Sequence, residues 1–534
     1  MDTLSGTSAP ATAGQAVYGL RQPSSALVRA VLAFAAGAAV AASFAPLNLW
    51  PLAVLCPALL MWLWQDATPR EAARLGFCFN AATFTAGTYW LYISIHGFGA
   101  APIWLAFVLM LGLVGIMGLY HAALGYACAR WLPQGGAVRW LVALPASWLL
   151  VEWWRGWFLS GFSWLSLGYS QTDSWLAGFA PVIGVYGISA LLLVSAGALV
   201  ALVLGTRRTR LIAATALIVP WLVGAALRQV SWTHVSGAPV SVAVIQGAIP
   251  QEQKWLDSNQ DTTLKLYQSL TEQAFRVGGV GLIVWPESAP AGVANDLVPY
   301  LDNLYGEARA HHAALVLGVL RAESAAGKDG DSETRYYNSI LAMDDTVSWY
   351  DKSHLVPFAE FFPVPHFVRS WLRLMSLPHS DFTPGAAEQP PLPAAHLQLG
   401  ATICYEDAYG SSMLPVLRRA DALVNVTNDA WFGHSTARYQ HFQIVRMRAL
   451  EAGRYLVRAA NDGISAVVGP HGEILARAPE FQPVVLVSKI VPLRGLTPYA
   501  VGGNWLIVCL AAMALAYGLW LRQCRDRPDV EPSP

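Results

Sequence analysis

Charged side chains are scarce in this sequence of 534 residues. Asp, Glu, Lys and Arg make up only 13% of it, whereas a soluble globular domain carries about 25%. Basic and acidic residues are equal at 34 each, so the chain lacks the basic excess that is typical of a nucleic-acid-binding protein. Hydrophobic residues make up 55%, which excludes an intrinsically disordered chain. The composition therefore indicates a folded protein that lies partly in lipid and does not bind nucleic acid.

Acidic residues are almost absent from two long parts of the chain. Residues 1–230 contain five of them and residues 503–534 contain three, so 26 of the 34 acids lie between 231 and 502. A segment of that length can bury a full hydrophobic core. The chain therefore consists of a lipid-like N-terminal part, a normally charged domain and one last apolar stretch.

Apolar runs that could form a membrane-spanning helix occur eight times. A helix needs about 20 apolar residues to cross the bilayer core. Aromatic side chains stand at several ends of these runs, as at Trp62, Trp64, Trp153 and Trp154, where they favour the membrane interface. The run at 50–65 is the weakest, because it is short and flanked by prolines. The predicted spans are 26–45, 50–65, 76–96, 103–128, 137–154, 181–204, 211–228 and 503–521.

Arginines of the connecting loops are divided unequally between the two sides of the predicted membrane. The short loops opposite the N-terminus contain only Arg155, with Arg228 at the exit of the seventh span. The positive-inside rule then places both termini in the cytoplasm and the charged domain at the outer face of the inner membrane. If one marginal span were absent, that domain would be inverted, and the arginines at 207–210 and after the last span argue against this. The arginines on the N-terminal side are Arg21, Arg29, Arg70, Arg74, Arg130, Arg139, Arg207, Arg208, Arg210, Arg522, Arg525 and Arg527.

This topology predicts five parts of the chain. We expect a cytoplasmic leader at 1–25, a membrane domain of seven helices at 26–230 and a periplasmic α/β domain at 231–502. An eighth helix at 503–521 and a cytoplasmic tail at 522–534 would complete it.

Cys404 is the only one of six cysteines in the external domain. Four others fall inside apolar runs, and Cys524 follows the last run. A lone external cysteine has no disulfide partner in its own domain. Cys404 is therefore either a small buried side chain or a free thiol retained for its chemistry.

Short β-branched runs alternate with helical stretches at 257–277, 294–312 and 437–454 of the external domain, which predicts an α/β fold with buried sheets. Three runs end in polar residues: Glu287 follows LIVWP, Cys404 follows TI, and Asn428 and Asp429 follow VNVT. Sites of α/β folds form at strand ends. The strand-like runs are 240–245, 281–285, 314–319, 339–343, 401–404, 422–426, 466–468 and 484–487.

Four motifs, in this order and at this spacing, carry a resemblance to a known family. They are WPES at Glu287, YDKSHLVPFAEF at Lys352, ICYED at Cys404 and TNDAWFG. Together they resemble the carbon–nitrogen hydrolase (nitrilase) superfamily. A domain of this kind between the seventh and eighth of eight spans resembles the membrane-embedded branch of that superfamily, the apolipoprotein N-acyltransferase family. Further similar segments are GFSWLSLGYSQ, QGAIPQEQKW, YYNSI and MRALEAGRYLVRAANDGISA.

The resemblance implies a fold, a reaction and a Glu-Lys-Cys triad. The implied fold of the external domain is an αββα sandwich. The triad would be Glu287 as general base and acid, Lys352 as oxyanion stabiliser and Cys404 as nucleophile. The implied reaction transfers the sn-1 acyl chain of a phospholipid, typically phosphatidylethanolamine, through a Cys thioester to the α-amine of an S-diacylglyceryl-cysteine of an apolipoprotein. We expect a monomer that needs no cofactor and no metal ion.

Other positions match the family less strongly. Glu360 would support Lys352, whereas the residues alone indicate an ordinary loop acid. Tyr405, Glu406 and Asn338 also match the family's functional positions, and strand-end packing is the alternative for the two that flank Cys404. Trp255 would stand at the lipid entrance. Arg155 could bind a phosphate head group or pair with Glu152.

Three alternatives accompany this reading. A membrane-anchored nitrilase-type amidase would transfer to water, but would not need eight spans. A Cys-His protease would need a histidine beside Cys404, with His354 and His434 as candidates, and a transporter would need charges inside its spans.

The adjacent His311 and His312 are poor metal ligands, because neighbours on a helix face different directions. The apolar run 358–377 could dip into the outer leaflet or pack beneath the domain.

Overall fold

The computed structural model describes residues 22–99, 101–326, 332–357, 359–361 and 382–526. Its N-terminal part is helical, as expected for apolar segments whose backbone polar groups must be satisfied internally. Several helices begin at a hydroxyl residue that caps a free N–H group, as Ser25 does for Val28 and Thr68 for Glu71. The helices of this helical region are α1 Ala26–Ala41, α2 Leu52–Leu63, α3 Pro69–Gly87, α4 Ile103–Trp131, α5 Leu144–Arg155, α6 Ala180–Leu204 and α7 Arg207–Leu227.

Each of the eight predicted spans overlaps a helix of the structure, but their lengths differ. Within the described residues, four helices are long and apolar enough to cross a membrane: Ile103–Trp131, Trp175–Leu204, Arg207–Leu227 and Trp505–Cys524. The helices α1 and α2 are apolar but shorter, with 16 and 12 residues. The predicted span 76–96 is divided, because α3 ends at Gly87 and a π-helix follows at Ile93–Phe98.

The helices of this region approach one another closely at small residues. A Cβ atom at Gly37 of α1 would lie 1.9 Å from the carbonyl oxygen of Phe79 in α3. A Cβ atom at Gly76 of α3 would lie 2.2 Å from that of His121 in α4. Helices in lipid gain little from the hydrophobic effect and associate through such close packing. The outer faces carry exposed large apolar side chains, including Phe107 and Leu222.

Strands of the α/β domain, residues 231–502, form two six-stranded sheets and one short two-stranded pair within the described residues. The first sheet has the order β13-β2-β3-β4-β5-β6, and β2, β3 and β4 are parallel. The second has the order β12-β11-β10-β9-β8-β7, and β8, β9 and β10 are parallel. The strands are β1 His234–Val235, β2 Val240–Gln246, β3 Leu282–Val284, β4 Ala314–Ala326, β5 Ser332–Met343, β6 Val347–Asp351, β7 Leu392–Ala394, β8 Leu397–Ile403, β9 Ala422–Thr427, β10 Leu456–Ala460, β11 Ala466–Val468, β12 Ile474–Arg477, β13 Val484–Ile490 and β14 Leu493–Arg494.

Three hydrophobic cores define four layers in this domain. Val244 and Val284 of the first sheet pack against Val424 and Val457 of the second, so the sheets lie face to face. Helices cover the outer faces, where further apolar clusters lie between each sheet and its helices. This arrangement confirms the expected αββα sandwich. The covering helices are α8 Asp257–Val277 and α9 Val298–Ala310 on the first sheet and α10 Ala437–Ala452 on the second; α11 Trp505–Asp526 follows the domain.

The helix α10 joins the α/β domain to the helical region. Gln440 Oε1 accepts hydrogen bonds from the indole N–H groups of Trp164 at 2.7 Å and Trp90 at 3.2 Å. Gln443 Oε1 accepts one from the backbone N–H of Ala45 at 3.1 Å. Ile444, Met447 and Leu450 of the same helix belong to the hydrophobic core of the helical region. The two parts therefore share one packed interface along α10.

Candidate active site

Four polar side chains from the first sheet and from the segments that follow its strands are in mutual contact. The amide of Asn338, on β5, donates to Glu287 Oε1 at 2.7 Å and to Glu360 Oε1 at 3.0 Å. Lys352 Nζ donates to Glu360 Oε1 at 2.8 Å and lies 3.7 Å from Glu287 Oε1. Lys352 is 1% exposed and Glu287 is 8% exposed. The structure thus brings together Glu287, Lys352, Glu360 and Asn338, as the sequence predicts.

The position of Glu287 depends on a close approach of β4. Glu287 follows β3, and Gly318 of β4 lies directly beside it. A Cβ atom at Gly318 would lie 2.5 Å from Glu287 Cα and 2.6 Å from the carbonyl oxygen of Pro286. Only glycine allows this contact, because any side chain would push the strand away. The backbone N–H of Asn428 fixes the second carboxylate oxygen of Glu287 at 2.9 Å.

Cys404 begins the short 3₁₀ turn that follows β8 and has a φ of +52°. This left-handed conformation costs a residue with a side chain roughly 1–2 kcal/mol. Burial raises the pKa of the Cys404 thiol, Glu287 raises it further and Lys352 lowers it. Cys404, Glu287 and Lys352 are therefore close enough for their charges to interact. The thiol therefore remains protonated until a base removes its proton.

Lys352 is an ammonium group held among carboxylates. Burial alone would lower the pKa of Lys352, but Glu360 and Glu287 outweigh burial and raise it. Glu360 is itself fixed, since its second oxygen accepts the backbone N–H of Val356 at 2.8 Å. A charged lysine held by a fixed carboxylate is suited to stabilise a developing oxyanion.

Glu406 ties the turn of Cys404 to the loop of Lys352. Its Oε2 accepts the backbone N–H of Ile403 at 2.8 Å and the hydroxyl of Tyr350 at 2.9 Å. Its Oε1 accepts the N–H and hydroxyl of Ser353, both at 2.8 Å, and the N–H of His354 at 3.1 Å. Because the side chain is 1% exposed, Glu406 acts by holding these two segments together.

Tyr405 and Arg155 lie in the contact with the helical region. The ring of Tyr405 stacks on Trp164 at a centroid distance of 6.3 Å. Arg155 is 3% exposed and donates to the carbonyl oxygens of Phe162 at 2.5 Å and Trp164 at 2.8 Å and to the hydroxyl of Ser166 at 3.2 Å. The prediction that Arg155 binds a phosphate head group is therefore wrong: the guanidinium is buried and its bonds hold the 162–166 loop.

Trp255 is 47% exposed and follows a lysine that contacts the site. Its neighbour Lys254 is 1% exposed, donates to the backbone oxygen of Glu287 at 3.0 Å and lies 5.9 Å from the centre of the Trp255 ring. Burial lowers the pKa of Lys254 to about 8, against the opposing influence of Glu287. Apart from its place in QEQKW, no sequence pattern indicates a role for this second lysine.

A buried histidine also reaches Cys404, although sequence reasoning considered only His354 and His434. His441 Nε2 lies 3.1 Å from the carbonyl oxygen of Cys404, and Nδ1 lies 2.9 Å from Asp429 Oδ1. His434 instead stacks on Phe481. No local pattern of the sequence indicates that a residue inside α10 contacts Cys404. The apolar run 358–377 lies outside the described residues, except for 359–361.

Comparisons with known proteins match both parts of the chain. Residues 36–198 match the family model "Apolipoprotein N-acyltransferase N-terminal domain", and residues 241–496 match "Carbon-nitrogen hydrolase". A protein of Azotobacter vinelandii named apolipoprotein N-acyltransferase is 41% identical over 94% of this chain and 97% of its own length. One of Vibrio parahaemolyticus with the same name is 34% identical over 94% and 98%. Among solved structures, the NitFhit protein of C. elegans is 18% identical over 56% of this chain and 67% of its own, with a TM-score of 0.38.

Proposed function

Because the chain belongs to the apolipoprotein N-acyltransferase family, we propose that it N-acylates lipoproteins with Cys404 as the nucleophile and Glu287 and Lys352 as its catalytic partners. The observation that carries this proposal is the cluster itself. Lys352 Nζ lies 3.7 Å from Glu287 Oε1, and both charges act on the thiol of Cys404.

In the first half-reaction, Glu287 takes the proton of the Cys404 thiol. The sulfur attacks the sn-1 ester carbonyl of a phospholipid, for which phosphatidylethanolamine is our expected donor. The Lys352 ammonium stabilises the oxyanion of the tetrahedral intermediate. The carbon–oxygen bond then breaks, the leaving alcohol of the lysophospholipid receives the proton from Glu287, and a thioester remains on Cys404.

In the second half-reaction, the α-amine of an S-diacylglyceryl-cysteine attacks this thioester. Glu287 takes a proton from the amine as the carbon–nitrogen bond forms. The carbon–sulfur bond breaks and Glu287 returns that proton to the sulfur, which regenerates the thiol, so the reaction is ping-pong. Glu360 and Asn338 act by fixing Lys352 and Glu287, and Glu406 and Tyr405 by fixing the turn of Cys404.

Trp255 would meet the acyl donor. Its exposed indole lies next to a lysine that touches the backbone of Glu287, so an acyl chain lying on this ring would be close to the base. We propose further that the working unit is a monomer. The mass of the purified protein in detergent, corrected for bound detergent, tests that part of the proposal.

The topology of the proposal follows the positive-inside rule. Seven spans at 26–230, a periplasmic catalytic domain at 231–502 and an eighth span at 503–521 place both termini, including the leader at 1–25 and the tail at 522–534, in the cytoplasm of a bacterial inner membrane. The finding that every predicted span overlaps a helix supports it. Labelling of single cysteines by a membrane-impermeant reagent tests it, in variants whose other cysteines are replaced by serine. Glu323→Cys should react in intact spheroplasts, whereas Cys524 should react only after lysis.

The test of the reaction is mass spectrometry of the protein after incubation with phosphatidylethanolamine vesicles. A thioester on Cys404 and the appearance of lysophospholipid are expected, and a diacylated lipopeptide added afterwards should take up the acyl chain. Cys404→Ser should form no thioester and no triacylated product, while the control Cys524→Ser should behave as the unaltered protein. Acyl transfer by Cys404→Ser would refute the mechanism. Release of free fatty acid instead of lipopeptide acylation would favour the amidase-type alternative, which the full-length relatives do not favour.

A further inference from the structure

A fully buried polar cluster lies behind the turn of Cys404. His441 is 1% exposed, and Asp429 and Arg458 are 0% exposed. Asp429 Oδ2 accepts a hydrogen bond from Arg458 Nη2 at 2.8 Å, while its Oδ1 lies 2.9 Å from His441 Nδ1. His441 Nε2 then reaches the carbonyl oxygen of Cys404 at 3.1 Å. The proposed reaction uses none of these three residues.

The partners of the imidazole determine where its hydrogen lies. A carbonyl oxygen can only accept a hydrogen bond, so His441 Nε2 must carry the hydrogen that it donates to Cys404. Nδ1 faces the carboxylate of Asp429 and also lies 3.1 Å from Arg458 Nη2, which already donates to that carboxylate. Whichever form Nδ1 takes, Nε2 is protonated and directed at the carbonyl. It therefore cannot accept the thiol proton of Cys404.

We propose that His441 is a positioning residue that holds Cys404 in its left-handed conformation. The proposal rests on the proposed role of Cys404 as nucleophile. The turn is held on both sides of that residue: Glu406 accepts the N–H of Ile403, and His441 donates to the carbonyl of Cys404. Since the backbone conformation of Cys404 is unfavourable by itself, these bonds select the arrangement in which the charges of Glu287 and Lys352 act on the thiol.

Asp429 and Arg458 orient the histidine. Burial acts to raise the pKa of Asp429, but Arg458 and His441 outweigh it and hold that pKa well below its usual range. Thr427 donates to the same carboxylate at 3.1 Å, and Arg458 Nη1 donates to Asn425 Oδ1 at 2.6 Å. The imidazole therefore has one fixed orientation, as in sites where a carboxylate orients a histidine.

Two amide replacements of His441 distinguish the contact made by Nε2 from the contact made by Nδ1. In His441→Gln, the longer side chain places its amide nitrogen near the Nε2 position, where it can still donate to Cys404. In His441→Asn, the amide can reach Asp429 but not the carbonyl of Cys404. The same two changes at His434, which stacks on Phe481, are the matched controls. The readout is the burst of p-nitrophenol released when Cys404 is acylated by p-nitrophenyl butyrate, measured over a range of pH.

We expect His441→Asn to slow the burst roughly tenfold relative to His441→Gln, as the loss of one hydrogen bond implies. The pH midpoint of the burst should be the same in both variants and in the unaltered protein. Equal rates for the two variants, or a midpoint that shifts in both, would overturn the proposal, the second result by making His441 a base. If His441→Asn does not fold, His441→Gln tests the proposal alone. Its burst should keep the rate and the pH midpoint of the unaltered protein, and a shifted midpoint would overturn the proposal. A normal burst without acylation by phospholipid would refute the proposed function and leave this comparison valid.

Discussion

The replacement Glu406→Gln should uncouple the turn of Cys404 from the loop of Lys352. The carboxylate accepts five hydrogen bonds, three at Oε1 from Ser353 and His354 and two at Oε2 from Ile403 and Tyr350. A glutamine carbonyl can serve only one of these positions. It should keep the Oε1 side, because more donors converge there, which leaves the amide nitrogen facing the N–H of Ile403. The hydroxyl of Tyr350 can rotate and accept instead.

The expected magnitude follows from that one lost contact. A hydrogen bond to a charged group contributes about 1.5–3 kcal/mol, and the N–H of Ile403 would stay buried without a partner. We expect thioester formation on Cys404 to slow about 10- to 100-fold, since 1.36 kcal/mol corresponds to tenfold in rate. Glu406→Asp should be no better, because its shorter side chain cannot reach both segments.

Two measurements check this prediction in detergent: the rate of thioester formation by quenched mass spectrometry, and the unfolding temperature by tryptophan fluorescence. Glu272→Gln, on the exposed face of α8, is the matched control, and its side chain is 47% exposed. The reasoning is refuted if Glu406→Gln keeps the normal rate. A normal rate with a lowered unfolding temperature would show that the bonds of Glu406 stabilise the fold without positioning Cys404.

Three further predictions concern residues around Glu287. Gly318→Ala should destabilise the protein by about 1–3 kcal/mol and abolish most acyl transfer, whereas Gly306→Ala, with open space around it, should be neutral or stabilising in a thermal melt. Lys254→Met removes the donor to the backbone oxygen of Glu287 and should lower kcat about tenfold in a steady-state assay, and an unchanged kcat would contradict this. Burial raises the pKa of Asp462 to about 6, so the folded state binds its proton more tightly than the unfolded state and stability should fall as pH rises from about 4 to 6, by up to about 3 kcal/mol. Asp462→Asn should remove that dependence from urea titrations, and an unaltered pH profile would rule the assignment out.

Local sequence patterns predicted several helices and strands of the α/β domain. The helix expected at 257–277 is Asp257–Val277, and the strand expected at 466–468 is Ala466–Val468. These succeed because periodicity and apolar runs report on the burial of one face. The strands β4 and β5 extend well beyond the predicted 314–319 and 339–343, because their outer halves are polar and show no apolar run.

Contacts between segments distant in the sequence could not be predicted. Strand β10 at Leu456–Ala460 was missed, because it is a short run between a helix and a polar turn. The assignment of Arg155 to a lipid head group was based on its being the only basic residue in the outer short loops. Its partners are backbone carbonyl oxygens seven and nine residues away. Every residue has a backbone carbonyl, so the residue types there could not indicate these bonds. The bond from His441 to Cys404 spans 37 residues and depends on how α10 packs against β9.

The position of α10 makes the α/β domain dependent on its membrane anchor. Gln440 is bonded to two tryptophans of the helical region, and the next residue, His441, is bonded to the backbone of Cys404. A soluble fragment cut at 231 and 502 would lose the first pair of bonds and expose Ile444, Met447 and Leu450 to water. Separating the domain from the helical region would therefore disturb the backbone of Cys404, the proposed nucleophile, as well as the packing along α10. On the proposed mechanism, the chemistry at Cys404 and the supply of lipid therefore depend on one continuous fold.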